Sequence, residues 1–214
     1  ILLTHLHMDH IQGLGFFPPI YDPNVETHIW GPVSTTMDLG ARLRRYLSPP
    51  LFPVRLRDLP RVILHDVAPC DFAVGSVRVT TDLVIHPGPT LGYRLSAGGR
   101  VLSYLPDHEP ALSDRSFPSD PKWTSGFSLI QGADVLIHDA QYVDAEYEQR
   151  VGWGHSTFDH ALTLAEMAEV GTLVTFHHDP SHTDAMLDAV AAEISNRDLP
   201  FRFVPGKAGT TFRL

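Results

Sequence analysis

The chain has 214 residues, 43% of them hydrophobic, with one cysteine (Cys70), 13 histidines, and 16 Lys plus Arg against 25 Asp plus Glu for a net charge of −9. That size and hydrophobicity suit one domain over 1–214 with a sizeable core, while the acidic balance, uninterrupted by any basic run, excludes the footprint of a general nucleic-acid binder. A lone cysteine excludes an internal disulfide or a Cys-x-x-Cys site, no apolar run nears the ~20 residues of a membrane span, and no leader is visible, so a cytoplasmic protein without a membrane partner is expected.

In chain order, residues 1–4 read as a buried strand, and a chain that opens inside a strand is expected to continue a longer one upstream. Residues 11–17 read as a short helical or looped segment. The stretch 18–60 is rich in proline, places Arg42, Arg44 and Arg45 on one short helix, and reads as an irregular surface insertion. Strand-like runs follow at 62–64, 77–81, 93–95, 101–104 and 135–137. Ser156-Thr157-Phe158-Asp159 starts a helix in the manner of a capping box, with Ala161, Leu162, Ala165 and Ala168 at helical spacing and Gly171 as its end. A strand at 173–176 and an amphipathic helix at about 184–196, with Met186, Leu187, Val190 and Ile194 on one face, complete an α/β class.

The chemistry concentrates first in Thr4-His5-Leu6-His7-Met8-Asp9-His10. On an extended chain side chains alternate, which turns His5, His7 and Asp9 to one side and Leu6 and Met8 to the other. His10, at the turn before Gly13, reaches the same volume from another direction. Four imidazole or carboxylate donors at this spacing suit a zinc-like divalent ion, with the aspartate able to hold a second one. The competing interpretation is a polar loop whose histidines are solvated.

Further donors close predicted strands: His86 after Val84-Ile85, Asp107 after Leu105-Pro106, Asp139 after Ile137-His138, His155 in Gly152-Trp153-Gly154-His155, and His177 after Thr175-Phe176. Strand-end loops are where α/β folds collect functional groups. Taken singly, His86 can be a strand terminator, Asp107 and Asp139 turn formers, and His155 a packing or capping residue ahead of the helix; their recurrence at successive strand ends favours a shared site. His178 or His182 could take the place of His177. Tyr142 and Trp153 could line a pocket, though aromatics near strand ends are more often packing. Around Cys70 no basic or acid partner that would activate the thiol is recognisable. His28, His65 and His160 carry no ligand motif; His108 and His138 adjoin the aspartates and could support them.

These segments resemble the metallo-β-lactamase superfamily, and within it the ribonuclease Z and phosphodiesterase branch. The stretches carrying the resemblance are THLHMDHIQG, VIHPGPTLGYRL, SYLPDHE, VLIHDAQY, GWGHST and LVTFHHDPSH, which span nearly the whole chain. The resemblance implies an αβ/βα sandwich of two sheets flanked by helices, here lacking the first strands of the N-terminal sheet. It further implies that His5, His7 and His86 hold one metal, that Asp9, His10 and His177 hold a second, and that Asp107 bridges them. Zinc is the first choice of ion, with manganese or iron(II) as alternatives.

On that basis the expected activity is hydrolysis of a small, cyclic or linear, phosphodiester. Two ions about 3.5 to 4 Å apart lower the pKa of a bridging water and clamp the phosphoryl oxygens. His155, oriented by Asp139, is the candidate general acid, and Asp9 counts among the catalytic residues as well as the ligands. Redox diiron members carry a glutamate where His7 stands, and the commonest antibiotic-hydrolysing members use a cysteine ligand that Cys70 does not match. The HPGPT segment differs from the PGHT turn of thioester hydrolases, which leaves thioester or lactone hydrolysis as the alternative; a non-catalytic metal-binding or sensing domain is a second alternative. The expected partner is a small-molecule substrate, without an RNA-gripping arm, and the chain could be a homodimer.

Overall fold

The computed structural model describes residues 1–111, 117 and 120–214. The chain divides into two units, residues 1–70 with 88–91, and residues 71–87 with 92–214.

In the first unit, residues 1–4 do not form a strand of their own. They run beside strand β1 (Thr27–Pro32), with one parallel bridge from Leu2 to Trp30 and hydrogen bonds from Leu3 N to Trp30 O (2.8 Å) and Trp30 N to Ile1 O (2.9 Å). The extended path ends at His7, which caps the short helix α1 (Met8–Ile11). The strand alternation expected through Asp9 therefore stops two residues early. Asp9 sits in the first helical turn, where a carboxylate is favoured by the amide dipoles, and His10 follows in the same turn.

The proline-rich stretch, expected to be irregular surface, instead carries regular structure and core. β1 pairs in parallel with β2 (Val62–Val67), and helix α2 (Leu39–Leu43) lies against β2. Ile29, Leu39 and Leu43 are fully buried and Leu47 is nearly so, packed with Leu3, Ile11, Leu14, Phe52 and Leu56. Asp38 starts α2 by accepting from Ala41 N (2.6 Å), while Asp66 of β2 accepts from Leu39 N (3.0 Å), so the helix is fastened at its N-terminus by two carboxylates. Arg42 lies on this helix, whereas Arg44 is its C-cap and Arg45 follows it.

The second unit is a seven-stranded sheet in sequence order, β3 (Cys70–Val74), β4 (Val77–Leu83), β5 (Leu91–Ala97), β6 (Arg100–Leu105), β7 (Val135–Asp139), β8 (Thr172–Phe176) and β9 (Arg202–Pro205). β5 and β6 are antiparallel; β6 through β9 are parallel. Short helices α3 (Phe127–Ile130) and α4 (Asp144–Tyr147) lie in the connections, while α5 (Phe158–Met167) packs on β7 and β8 and α6 (Asp184–Ser195) on β9. Their meeting faces bury Leu105, Leu129, Leu136, Ala161, Leu164, Ala165 and Leu173. A capping box is present but one residue later than the sequence places it: Thr157, not Ser156, is the N-cap, with Thr157 Oγ1 accepting from His160 N (3.1 Å) and His160 Nδ1, rather than the Asp159 carboxylate, accepting from Thr157 N (3.4 Å). The helix stops at Ala168, before Gly171, and Glu169 takes the left-handed position (φ 53°) that usually favours glycine.

Because β6, β7 and β8 run the same way, their C-terminal ends lie along one edge of the sheet. Asp107, Asp139 and His177 stand there, just past or at the last residue of each strand. Among the described residues, no helix is long and apolar enough to cross a membrane.

Candidate metal centre

In the first unit, the turn from extended chain into α1 gathers the opening donors. The His5 ring lies 4.5 Å from that of His7 and 4.3 Å from that of His10, and Asp9 Oδ2 is 3.3 Å from His10 Nε2. His5 is buried, with Thr4 Oγ1 3.1 Å from its Nδ1, whereas the Asp9 side chain is mostly exposed.

In the second unit, His86, Asp107, His155 and His177 converge. Asp107 is 2% exposed, and its Oδ2 faces His86 Nε2 at 3.6 Å and His177 Nε2 at 3.5 Å. The His155 ring stacks on that of His177, with centroids 5.1 Å apart and planes 10° apart, and meets the His86 ring edge-on at 4.9 Å. One donor atom each from Asp107, His155 and His177 lies within 4.8 Å of the others. His177 adopts φ 56°, a conformation that costs a non-glycine residue free energy and is held where surrounding structure over-determines it.

Asp139 orients His155. This fully buried carboxylate accepts from His155 Nδ1 (2.7 Å), from His108 N (3.0 Å) and from Gln141 N (2.9 Å), which fixes the imidazole with Nε2 turned away. Burial pushes the Asp139 carboxyl well up, against the opposing pull of His177 and of its two backbone donors. Behind it, His138 Nδ1 donates to Asp139 O (2.7 Å), and His108 Nδ1 donates to His138 Nε2 (2.8 Å). Burial depresses both imidazoles, His138 to about 4 and His108 well below its ordinary value, so this chain is neutral near pH 7.

The other histidines have different places. His178 Nδ1 donates to Ala140 O (3.1 Å) and its ring stacks on Phe158, while His182 Nε2 pairs with Glu146 (3.0 Å). In the first unit His28 and His65 stack with Trp30 on the β1–β2 pair. Tyr142 is buried under the Arg150 guanidinium, which also covers the exposed Trp153; Cys70 is exposed at the start of β3. One residue of this region was not singled out by sequence. Glu109 is fully buried and accepts from Tyr147 Oη (2.7 Å), Gly152 N (2.8 Å) and Gly154 N (2.9 Å). Its local sequence, Pro106-Asp107-His108-Glu109-Pro110, resembles an ordinary turn, and its partners lie 38 to 45 residues away.

The donor chemistry fits a divalent ion. Imidazole nitrogens and a buried carboxylate converge at distances beyond hydrogen-bond length, as ligands spaced around a shared cation would. The family model described as "Beta-lactamase superfamily domain" matches residues 1–178. Ribonucleases Z and BN are among the relatives; the ribonuclease BN of Citrobacter koseri is 31% identical over 242 residues, covering 90% of this chain and 74% of that protein. Solved structures that share the fold include the following two. The metallo-β-lactamase fold protein YhfI of Bacillus subtilis aligns at TM-score 0.68 and 18% identity, over 99% of this chain and 76% of that one. Zinc-bound PqqB of Methylobacterium extorquens aligns at TM-score 0.63 and 20% identity, over 100% of this chain and 70% of that one. The chain therefore belongs to the beta-lactamase superfamily, hydrolases of the metallo-β-lactamase fold, in the branch of the ribonucleases Z and BN.

Proposed function

We propose that the protein is a dinuclear metal-dependent phosphodiesterase acting on a small phosphodiester. The observation that carries this reading is the Asp139–His155 pair set beside Asp107 and His177: a hydrogen-bonded carboxylate and imidazole next to a convergent ligand set. His5, His7 and His86 would hold one ion and Asp9, His10 and His177 the other, with Asp107 shared; zinc is the first candidate. When bound, such ions supply Lewis acidity toward phosphoryl oxygens and make water a better nucleophile near neutral pH.

The chain's own part is proton handling. With Nδ1–H donated to Asp139, the His155 imidazole is held in one orientation, and its imidazolium form is stabilised by the carboxylate beside it. That form carries a proton on Nε2 that it delivers to the departing alkoxide oxygen, returning to the neutral Nδ1–H tautomer. Asp139 keeps its orientation throughout because two backbone N–H groups hold it independently of His155. A ribonuclease relative makes a phosphodiester the natural electrophile. The acidic balance of the chain favours a small substrate over a polynucleotide, because each phosphate contact needs a cationic side chain. The exposed Cys70 thiol suits a reducing, cytoplasmic setting.

The test is elemental analysis of the purified protein together with hydrolysis of bis-p-nitrophenyl phosphate, a thioester, a lactone and a 3′-extended transfer RNA. About two divalent ions per chain and cleavage of the diester support the proposal. Cleavage of only the thioester or lactone overturns it in favour of carboxyl-ester chemistry, and cleavage of only the RNA overturns the small-substrate part. His155→Ala is expected to lower diester turnover by about 100-fold or more while leaving metal content unchanged; loss of metal in that variant would make His155 a ligand.

A further inference from the structure

We propose that Glu109 is a positioning residue: through the 152–154 loop it fixes the tautomer of His86 and the presentation of His155. The inference rests on the metal-centre reading only for what it says about ion affinity; the tautomer itself is a property of the metal-free chain.

The argument begins with the loop. Gly152 and Gly154 adopt φ 85° and 87°, backbone conformations open to glycine, and a Gly-x-Gly segment has too much conformational freedom to hold one shape by itself. Glu109 supplies the anchor. Its Oε1 accepts from Gly152 N and Tyr147 Oη, and its Oε2 accepts from Gly154 N, so both glycine amides are tied to one side chain that solvent does not reach. The same residue's N–H donates to Ile85 O (2.9 Å), immediately before His86 in the chain.

The carbonyl of the same residue, Gly154, contacts the candidate ligand. Gly154 O lies 2.8 Å from His86 Nδ1, and since a carbonyl can only accept, His86 must carry its proton on Nδ1. That leaves Nε2 as the lone-pair nitrogen, the atom that faces Asp107. The approach is tight: a Cβ on Gly154 would lie 2.6 Å from His86 Nδ1 and would overlap Pro87 Cδ. A continuous path thus runs from the Glu109 carboxylate through the backbone of one residue, Gly154, to the His86 ring, and the next residue along the loop is His155. Partners of this kind set ligand tautomer and ring orientation at metal sites, and losing one commonly lowers metal affinity about 10- to 100-fold. A purely structural anchor would hold the loop without consequence for the His86 tautomer.

Glu109→Gln is the test, because the amide is nearly isosteric but turns an NH₂ toward a backbone N–H and forfeits at least one bond. Histidine side-chain ¹⁵N spectra of the metal-free protein should show His86 as the Nδ1–H tautomer in the parent and as a tautomer mixture in the variant. Chelator competition should show ion affinity down about 10-fold or more. Tyr147→Phe, which removes one donor and leaves both glycine amides bound, should change neither readout beyond about 2-fold. A folded Glu109→Gln with the parent's tautomer and affinity overturns the proposal. If that variant does not fold, hydrogen exchange in the parent decides: Gly152 and Gly154 amides should be protected, and fast exchange at both overturns it equally. A parent protein that binds no metal yet holds His86 as Nδ1–H would sink the metal-centre reading and leave the positioning role standing.

Discussion

Gly154→Ala tests the packing of the 152–155 loop directly. The residue sits at φ 87°, and an added Cβ would lie 2.6 Å from His86 Nδ1 and 2.9 Å from His86 Cα, and would overlap Pro87 Cδ. Carbon contacts relax near ~3.5 Å, so the loop or the 86–87 segment must give by roughly 0.6 Å at His86 Cα, roughly 0.9 Å at His86 Nδ1 and more than that at Pro87 Cδ. Neither neighbour is the free end of a flexible side chain. The left-handed backbone costs alanine about 1 to 2 kcal/mol, and overpacking adds about 1 to 3 kcal/mol. The sum, about 2 to 5 kcal/mol, is a large share of the ~5 to 15 kcal/mol that holds a domain folded. Gly75→Ala isolates the two parts, because Gly75 has φ 60° but nothing within 4 Å of where a Cβ would stand, and it should lose only the backbone share of about 1 to 2 kcal/mol. The assay is urea unfolding of both metal-free variants alongside ion affinity by chelator competition. If Gly154→Ala is no less stable than Gly75→Ala and binds metal like the parent, the account of a loop pressed against His86 is wrong.

Two further outcomes can be measured on the same material. His7→Ala and Asp107→Ala should each abolish metal-dependent turnover and lower bound metal, and either variant retaining the parent's metal content would remove that residue from the ligand set. Stability of the metal-free protein should fall as pH drops from about 6.5 toward 4, because His138, held at about 4 by burial, stays neutral in the folded chain while its unfolded counterpart takes up a proton near 6.5. The unfolded state then binds more protons, and the single group accounts for at most about 3 kcal/mol across that window. Urea midpoints at pH 7, 5.5 and 4.5 check it; a flat profile would refute the neutral His108–His138 pair.

The elements most legible in the sequence are those whose apolar pattern faces one side. β4 to β8, α5 and α6 lie within a few residues of where the sequence places them, because Val79, Leu136, Leu173, Leu164 and Ala165 repeat at strand or helix spacing and are buried. β3 and β9 escape such a reading as edge strands: Cys70–Val74 is mostly exposed, and Arg202–Pro205 ends in a proline that an outer strand tolerates. The 18–60 stretch misleads through composition. Its prolines cluster in the connections, while Ile29, Leu39, Leu43 and Leu47 between them form the first unit's core. At the candidate site, donors placed directly after apolar runs can be read because a strand's end is visible locally. Glu109 cannot, since its role is defined by amides of a loop more than 40 residues downstream.

That contrast has a physical origin in the three consecutive residues 107–109, each of which faces a different part of the sheet edge. Asp107 faces His86 and His177; the His108 amide holds Asp139, and its carbonyl accepts from Ser156 Oγ (2.6 Å); Glu109 holds the 152–154 loop. A turn at the end of β6 thereby connects the loops that follow β4, β7 and α4. The connection is possible because parallel strands deliver their C-terminal ends to one edge, and it is costly because it removes the carboxylates of Asp107, Glu109 and Asp139 and the imidazole of His108 from water. Such a cluster is stable only while each member keeps its bonds, since a single lost partner strands a polar group in a low-dielectric interior. Removing the Glu109 carboxylate should therefore disturb His86 and His155 together.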